Sequence, residues 1–131
     1  MHYSFEKFSD FNVRTSEPTI SVTKNNTLGL SSSFIVGNDL EKYDYACLYY
    51  DASNRSVGIR FTNEKNEESK FTITKSRNSR GSNLIAHSFF RKNNIEAEKF
   101  VGKYTPKKLS LDEVGIKEPG AIFVIDLGRN Q

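Results

Sequence analysis

Residues 20–51 and 71–104 carry one pattern twice, and that duplication limits what the chain can fold into. Setting Val22 on Ile73 brings Thr23-Lys24 onto Thr74-Lys75. With four more residues allowed in the second copy, Leu30 meets Ile85, Ser33-Phe34 meets Ser88-Phe89, Asn38 meets Asn93, Leu40 meets Ile95, Tyr45 meets Phe100 and Tyr49 meets Tyr104. An internal repeat decides how a chain divides before any element is assigned. The matched positions are mainly apolar, so the duplicated object is a packing unit. The clearest difference between the copies is the first turn, which is longer and basic in the second.

At 131 residues the chain is long enough for one core without metals or disulfides. Each half alone would be marginal, so the halves are expected to share one core. We read residues 1–131 as a single domain of two repeats, about 19–62 and 70–127, behind a lead-in at 1–18. Ten Phe and six Tyr argue against disorder despite a hydrophobic fraction of 36%. No apolar run approaches the roughly 18 residues of a spanning helix, so no membrane partner is expected. The opening MHYSFEKFSDF lacks the basic and apolar regions of a secretory signal. The single Cys47 cannot form an internal disulfide and sits in an apolar run, as a buried small hydrophobe does. Together these make a reducing cytoplasm the expected compartment.

Within each copy the periodicity changes along the chain. Ile20 and Val22 alternate with Ser21 and Thr23, the period of a half-buried strand. Asn25-Asn26 marks a turn and 27–30 a second strand. Ser31-Ser32-Ser33 supplies an N-cap for a short helix from 34 to 37 or 40. Residues 43–51 are apolar on both faces, with Tyr45, Cys47 and Tyr49 on one and Ala46, Leu48 and Tyr50 on the other; this predicts a central strand. Residues 56–62 return as its hairpin partner, Val57, Ile59 and Phe61 inward. The second copy predicts strands at 70–75 and 83–86, a helix at 89–93 capped by His87-Ser88, and a strand at 100–104. Residues 105–119 read as a polar loop and 121–127 as a last buried strand. The expected class is α+β and sheet-rich, with two tandem strand–strand–helix–strand–strand repeats related by a pseudo-twofold axis.

The motifs of phosphate-loop and dinucleotide-binding proteins are absent. Cys47 has no cysteine partner, and His2 and His87 are far apart, so no zinc pattern is present. Glu67-Glu68 and Asp112-Glu113 fall in polar segments, where paired carboxylates read as solvated surface. Cys47 with His87 is the one conceivable nucleophile pair; the plainer reading makes Cys47 core and His87 a helix cap. No enzymatic activity, cofactor, metal or catalytic residue is expected.

Net charge is +3, and its distribution matters more than its sum. Lys70, Lys75, Arg77 and Arg80 fall in one stretch without an acid, directly after Glu64, Glu67 and Glu68. Long cations mixed with Ser, Asn and Gly suit phosphate oxygens. The candidate nucleic-acid contacts are therefore Lys75, Arg77 and Arg80, supported by Lys24, Arg60 and Arg91. A second candidate surface is a strand face carrying Tyr43, Tyr49, Tyr50, Arg60 and Tyr104, since aromatics among cations can stack bases.

The order of elements from Val22 to Asp51 resembles the swapped-hairpin DNA-binding domain of AbrB-type transition-state regulators, and a tandem pair in one chain is similar to the MraZ arrangement. Residues 45–93, read as four strands and then a helix, also resemble the Whirly group of single-strand binders. These resemblances imply a small non-enzymatic protein that binds DNA rather than RNA, as a regulator or a single-strand binder, and they admit a homo-oligomer. The alternative reading is a protein–protein interaction module or accessory subunit of a phage or mobile element.

Overall fold

In the computed structural model, which describes residues 3–5, 17–75 and 81–129, alternation in sequence becomes alternation across a sheet. Nine strands form in chain order: β1 Ile20–Val22, β2 Thr27–Leu30, β3 Tyr45–Asp51, β4 Ser56–Thr62, β5 Phe71–Lys75, β6 Ser82–Ile85, β7 Gly102–Tyr104, β8 Lys107–Ser110 and β9 Ala121–Asp126. Two six-residue helices, α1 Ser32–Gly37 and α2 His87–Lys92, follow β2 and β6. The strand order is β7-β1-β2-β6-β5-β3-β4-β9-β8, and every pairing is antiparallel.

That order dictates the shape. β7 and β8 are the two outer strands, yet only Thr105 and Pro106 separate them in sequence. Nine strands laid flat would span about 38 Å at the usual strand spacing, whereas two linking residues reach about 10 Å. The sheet must curl until its edges approach, and it forms a half-barrel. Residues 102–110 act as one bent strand, pairing with β1 before the bend and with β9 after it. Pro106 stands at the bend, where it has no N–H to offer either ladder.

This corrects the expected α+β architecture of two tandem repeats about a pseudo-twofold axis. The protein is sheet-dominated, and its strands are not satisfied within their own copies. β2 pairs with β6 of the other copy, β3 leaves the first copy to pair with β5, and β7 leaves the second to pair with β1. The predicted loop 105–119 contains β8, the one strand beyond the eight expected, while β9 falls where the last strand of the second copy was predicted.

What the copies do share is the helix and its exit. Asn38 and Asn93 each turn a side-chain amide onto the carbonyl four residues earlier, at 3.0 Å to Phe34 and 2.9 Å to Phe89. Asp39 and Asn94 follow in the left-handed region at φ 55° and 56°. Leu40 N–H then reaches the Ile35 carbonyl, and Ile95 N–H the Phe90 carbonyl, both at 2.9 Å. The entries differ. Ser31 Oγ accepts from Phe34 N–H at 3.1 Å and from Thr19 N–H at 2.9 Å, whereas Ala86 caps α2 with no side-chain bond. His87 and Ser88 lie inside α2 rather than capping it. Ser31→Ala should therefore cost about 1 kcal/mol of stability, read from the urea midpoint, because both N–H groups lose their acceptor.

Helices this short cannot hold themselves. Their Phe pairs anchor them in the curl: Phe34, Ile35, Phe89 and Phe90 are all buried in a core shared with Ile20, Leu28, Leu84, Ile59 and Ile125. Phe34 meets the rings of Phe61 and Phe123 on β4 and β9, and Phe89 meets Tyr50 on β3.

Candidate nucleic-acid interface

The outer face of β7, β1, β2, β6 and β5 carries a row of polar residues, with exposed Ile85 beside it on β6. Antiparallel register puts Lys103 beside Ser21, Ser21 beside Gly29, Gly29 beside Asn83 and Asn83 beside Thr74, one row across five strands. Their chain neighbours Tyr104, Ile20, Leu30, Leu84 and Ile73 are buried on the other side. Hydroxyls, an amide and an amine thus face outward together. A Cβ added at Gly29 would lie 3.6 Å from both Asn83 Oδ1 and Ser21 Cβ, so the glycine leaves a shallow open place in mid-row.

Cations stand at both ends of these strands, although Lys75, in phase with buried Ile73 and paired with buried Ser82, belongs to the opposite face. At one end the turn between β1 and β2 carries Lys24, with Asn26 in the left-handed region at φ 59°. The Asn26 amide meets His87 Nδ1 at 3.3 Å, which ties this turn to the start of α2. Arg91 lies four residues further along, on the same helix face as His87. Lys24, Arg91 and Lys103 form no ion pair among the described residues. Lys75 is at the other end, about 10 Å away along β6, since it pairs with Ser82 while Ile85 pairs with Thr27. Its amine donates to the Glu41 carbonyl at 3.0 Å and the Asp44 carboxylate at 3.3 Å. Arg77 and Arg80, the other two cations of the basic turn, lie outside the described residues.

Arg60 is elsewhere. It points from β4 onto the outer face of the β3–β4 hairpin, and its side chain is 15% exposed. Nε–H donates to the Tyr49 hydroxyl oxygen at 2.9 Å and Nη2–H to Glu67 at 3.0 Å. Burial opposes its charge, but the bonds to Tyr49 and Glu67 outweigh burial and raise its pKa. The predicted set Lys24, Arg60, Lys75 and Arg91 is therefore split over three places.

The predicted stacking face is also split. Tyr49 shares the outer face with Arg60. Tyr50 points the other way and packs edge-on against Phe89. Tyr104 is 2% exposed, inside the curl. Tyr43 packs against Phe61 with Lys42 over its ring. The row Lys103–Ser21–Gly29–Asn83–Thr74 was missed by sequence reasoning; its signal was Ser, Thr, Asn and Gly at the polar phase of four short strands.

The remaining chemistry-bearing groups are absorbed structurally. Cys47 sits opposite Arg60 on β3, buried, with its thiol pKa raised mainly by that burial. Glu113 accepts from the Ser110 backbone and hydroxyl, which hold its carboxyl below the usual range. Among the described residues no helix is long and apolar enough to cross a membrane. No protein-family model, no curated protein and no solved structure matches this chain.

Proposed function

We propose that the protein is a non-enzymatic DNA-binding protein that contacts phosphates along the outer face of β7-β1-β2-β6-β5. The observation that carries this reading is the row of Lys103, Ser21, Gly29, Asn83 and Thr74, with Lys24 and Arg91 at one end of the face. Phosphate oxygens accept hydrogen bonds, and hydroxyls, amides and amines are the groups that supply them. The short side chains of Ser21, Gly29 and Asn83 let a polymer backbone lie close, and cations without an ion pair among the described residues give the attraction its range.

Three cations in contact with phosphates should give a salt dependence of log affinity against log salt with a slope of roughly 2 to 3. The measurement is fluorescence anisotropy with a labelled oligonucleotide, duplex or single-stranded, at several salt concentrations. Replacing Lys24, Arg91 and Lys103 together by Ala should flatten the slope by about 2 or more and weaken binding at least tenfold at low salt. No salt-sensitive binding to either oligonucleotide at micromolar protein ends this reading.

A further inference from the structure

The segment between β4 and β5, residues 63–70, crosses the outer face of the β3–β4 hairpin. Beneath it the chain has built a ladder of ring, guanidinium and ring. Tyr45, Cys47 and Tyr49 share one face of β3, and Arg60 stands opposite Cys47 on β4. The Arg60 guanidinium carbon is 5.9 Å from the centre of the Tyr49 ring. This combination of aromatic faces and a cation is what stacks the bases and holds the phosphates of a single strand.

Two residues of the segment occupy that ladder. Glu67 places a carboxylate oxygen 3.0 Å from Arg60 Nη2, where a phosphate oxygen would sit. Lys70 holds its amine 5.0 Å from the centre of the Tyr45 ring and donates to the Lys65 carbonyl at 2.9 Å. Glu67 and Lys70 are half-buried, while residues 63–66 and 68–69 are exposed. The segment therefore contributes no apolar side chain to the core, and Ser69 bends it through the left-handed region at φ 59°. Its start is pinned by Asn63, which donates to the Lys42 carbonyl and accepts from Asp44 N–H.

We infer that residues 63–70 form an acidic strap that holds a second nucleic-acid platform closed, with Glu67 standing in for phosphate on Arg60 and Lys70 covering the ring of Tyr45. The inference rests on the DNA-binding reading and adds regulation to it. The protein binds through the polar face at all times, and a single strand gains the Tyr45–Arg60–Tyr49 platform only when the strap is displaced.

Glu67→Gln tests this, because it removes the competing charge and keeps the size. Its control is Glu68→Gln, which changes net charge equally but alters an exposed residue. In anisotropy titrations with a 12-nucleotide oligothymidylate, Glu67→Gln should bind about tenfold more tightly than wild type and Glu68→Gln should not. A 12-base-pair duplex should bind all three alike. Adding Tyr45→Leu to Glu67→Gln should cancel the gain, with a circular dichroism melt showing that the double variant is folded. Equal gains from both glutamine variants, or a gain that extends to the duplex, reduce the effect to net charge and overturn the strap. Unchanged oligothymidylate binding by Glu67→Gln overturns it too, while the first reading stands if wild type still binds. Absence of binding by every variant overturns both.

Discussion

Phe34→Ala is expected to lower the free energy of unfolding by about 3–5 kcal/mol, read as a lower urea midpoint at unchanged slope. Phe34 is 0% exposed and stands where α1 enters the curl. Its ring lies 4.9 Å from that of Phe123 and 6.1 Å from that of Phe61, so truncation leaves a cavity between a helix and two strands. The backbone cannot close over it easily. Phe34 N–H is held by Ser31, and its carbonyl takes both the backbone N–H and the side-chain amide of Asn38. A six-residue helix has no stability of its own to fall back on. Phe89→Ala, at 8% exposure, should cost less, near the lower end of the range. A loss below about 1 kcal/mol for Phe34→Ala would mean that Phe34 does not anchor α1 in the curl.

The equivalence of Phe34 and Phe89 was legible in the sequence because apolar spacing reports burial directly. The same holds for the β3–β4 hairpin and for the turn at Asn25-Asn26. Strand partners were not legible. Periodicity says which face of a strand is buried but not which strand lies beside it, and β1 and β7 are three residues each. β8 was hidden for another reason. Lys107-Lys108-Leu109-Ser110 carries one large apolar residue, so it reads as loop; backbone pairing with β9 makes it a strand. Charged side chains on an outer strand also keep it from recruiting further chains. The expected strand at 100–104 began too early, because 97–99 forms a single 3₁₀ turn and pairing starts at Gly102.

The candidate site was legible by residue type and not by placement. With Val57, Ile59 and Phe61 read as inward, Arg60 falls on the outer phase of β4, but nothing in its neighbourhood said that Glu67, seven residues on, would fold back to meet it. Lys75 looked free beside a basic turn, and Asp44, far away in sequence, takes its amine because β3 pairs with β5. Lys24 and Arg91 fall at one end of the sheet through the contact of Asn26 with His87, which joins a turn of one copy to the helix of the other. All three placements follow from the exchange of strands between copies, the one feature the repeat concealed.

That exchange makes the bent strand at 102–110 the most consequential point in the fold, and Tyr104 is its largest buried residue. The side chain is 2% exposed, pairs across from Ile20, and donates its hydroxyl hydrogen to the Phe100 carbonyl at 2.6 Å. Tyr104→Ala should cost about 3–5 kcal/mol, since it opens the curl just before the chain leaves β1 for β9. Tyr104→Phe keeps the ring and should cost about 1 kcal/mol through the lost bond and the orphaned carbonyl. The two forms should also differ in alkaline solution. Burial raises the Tyr104 pKa, so the folded protein favours the neutral phenol. Its contribution is full below the ordinary tyrosine pKa of about 10 and is lost as pH rises from there through the higher folded value. Tyr104→Phe has no such group, so its disadvantage should shrink above about pH 10, in urea titrations run side by side. A gap that stays constant from about pH 8 to 11 would show that the fold does not hold this phenol neutral.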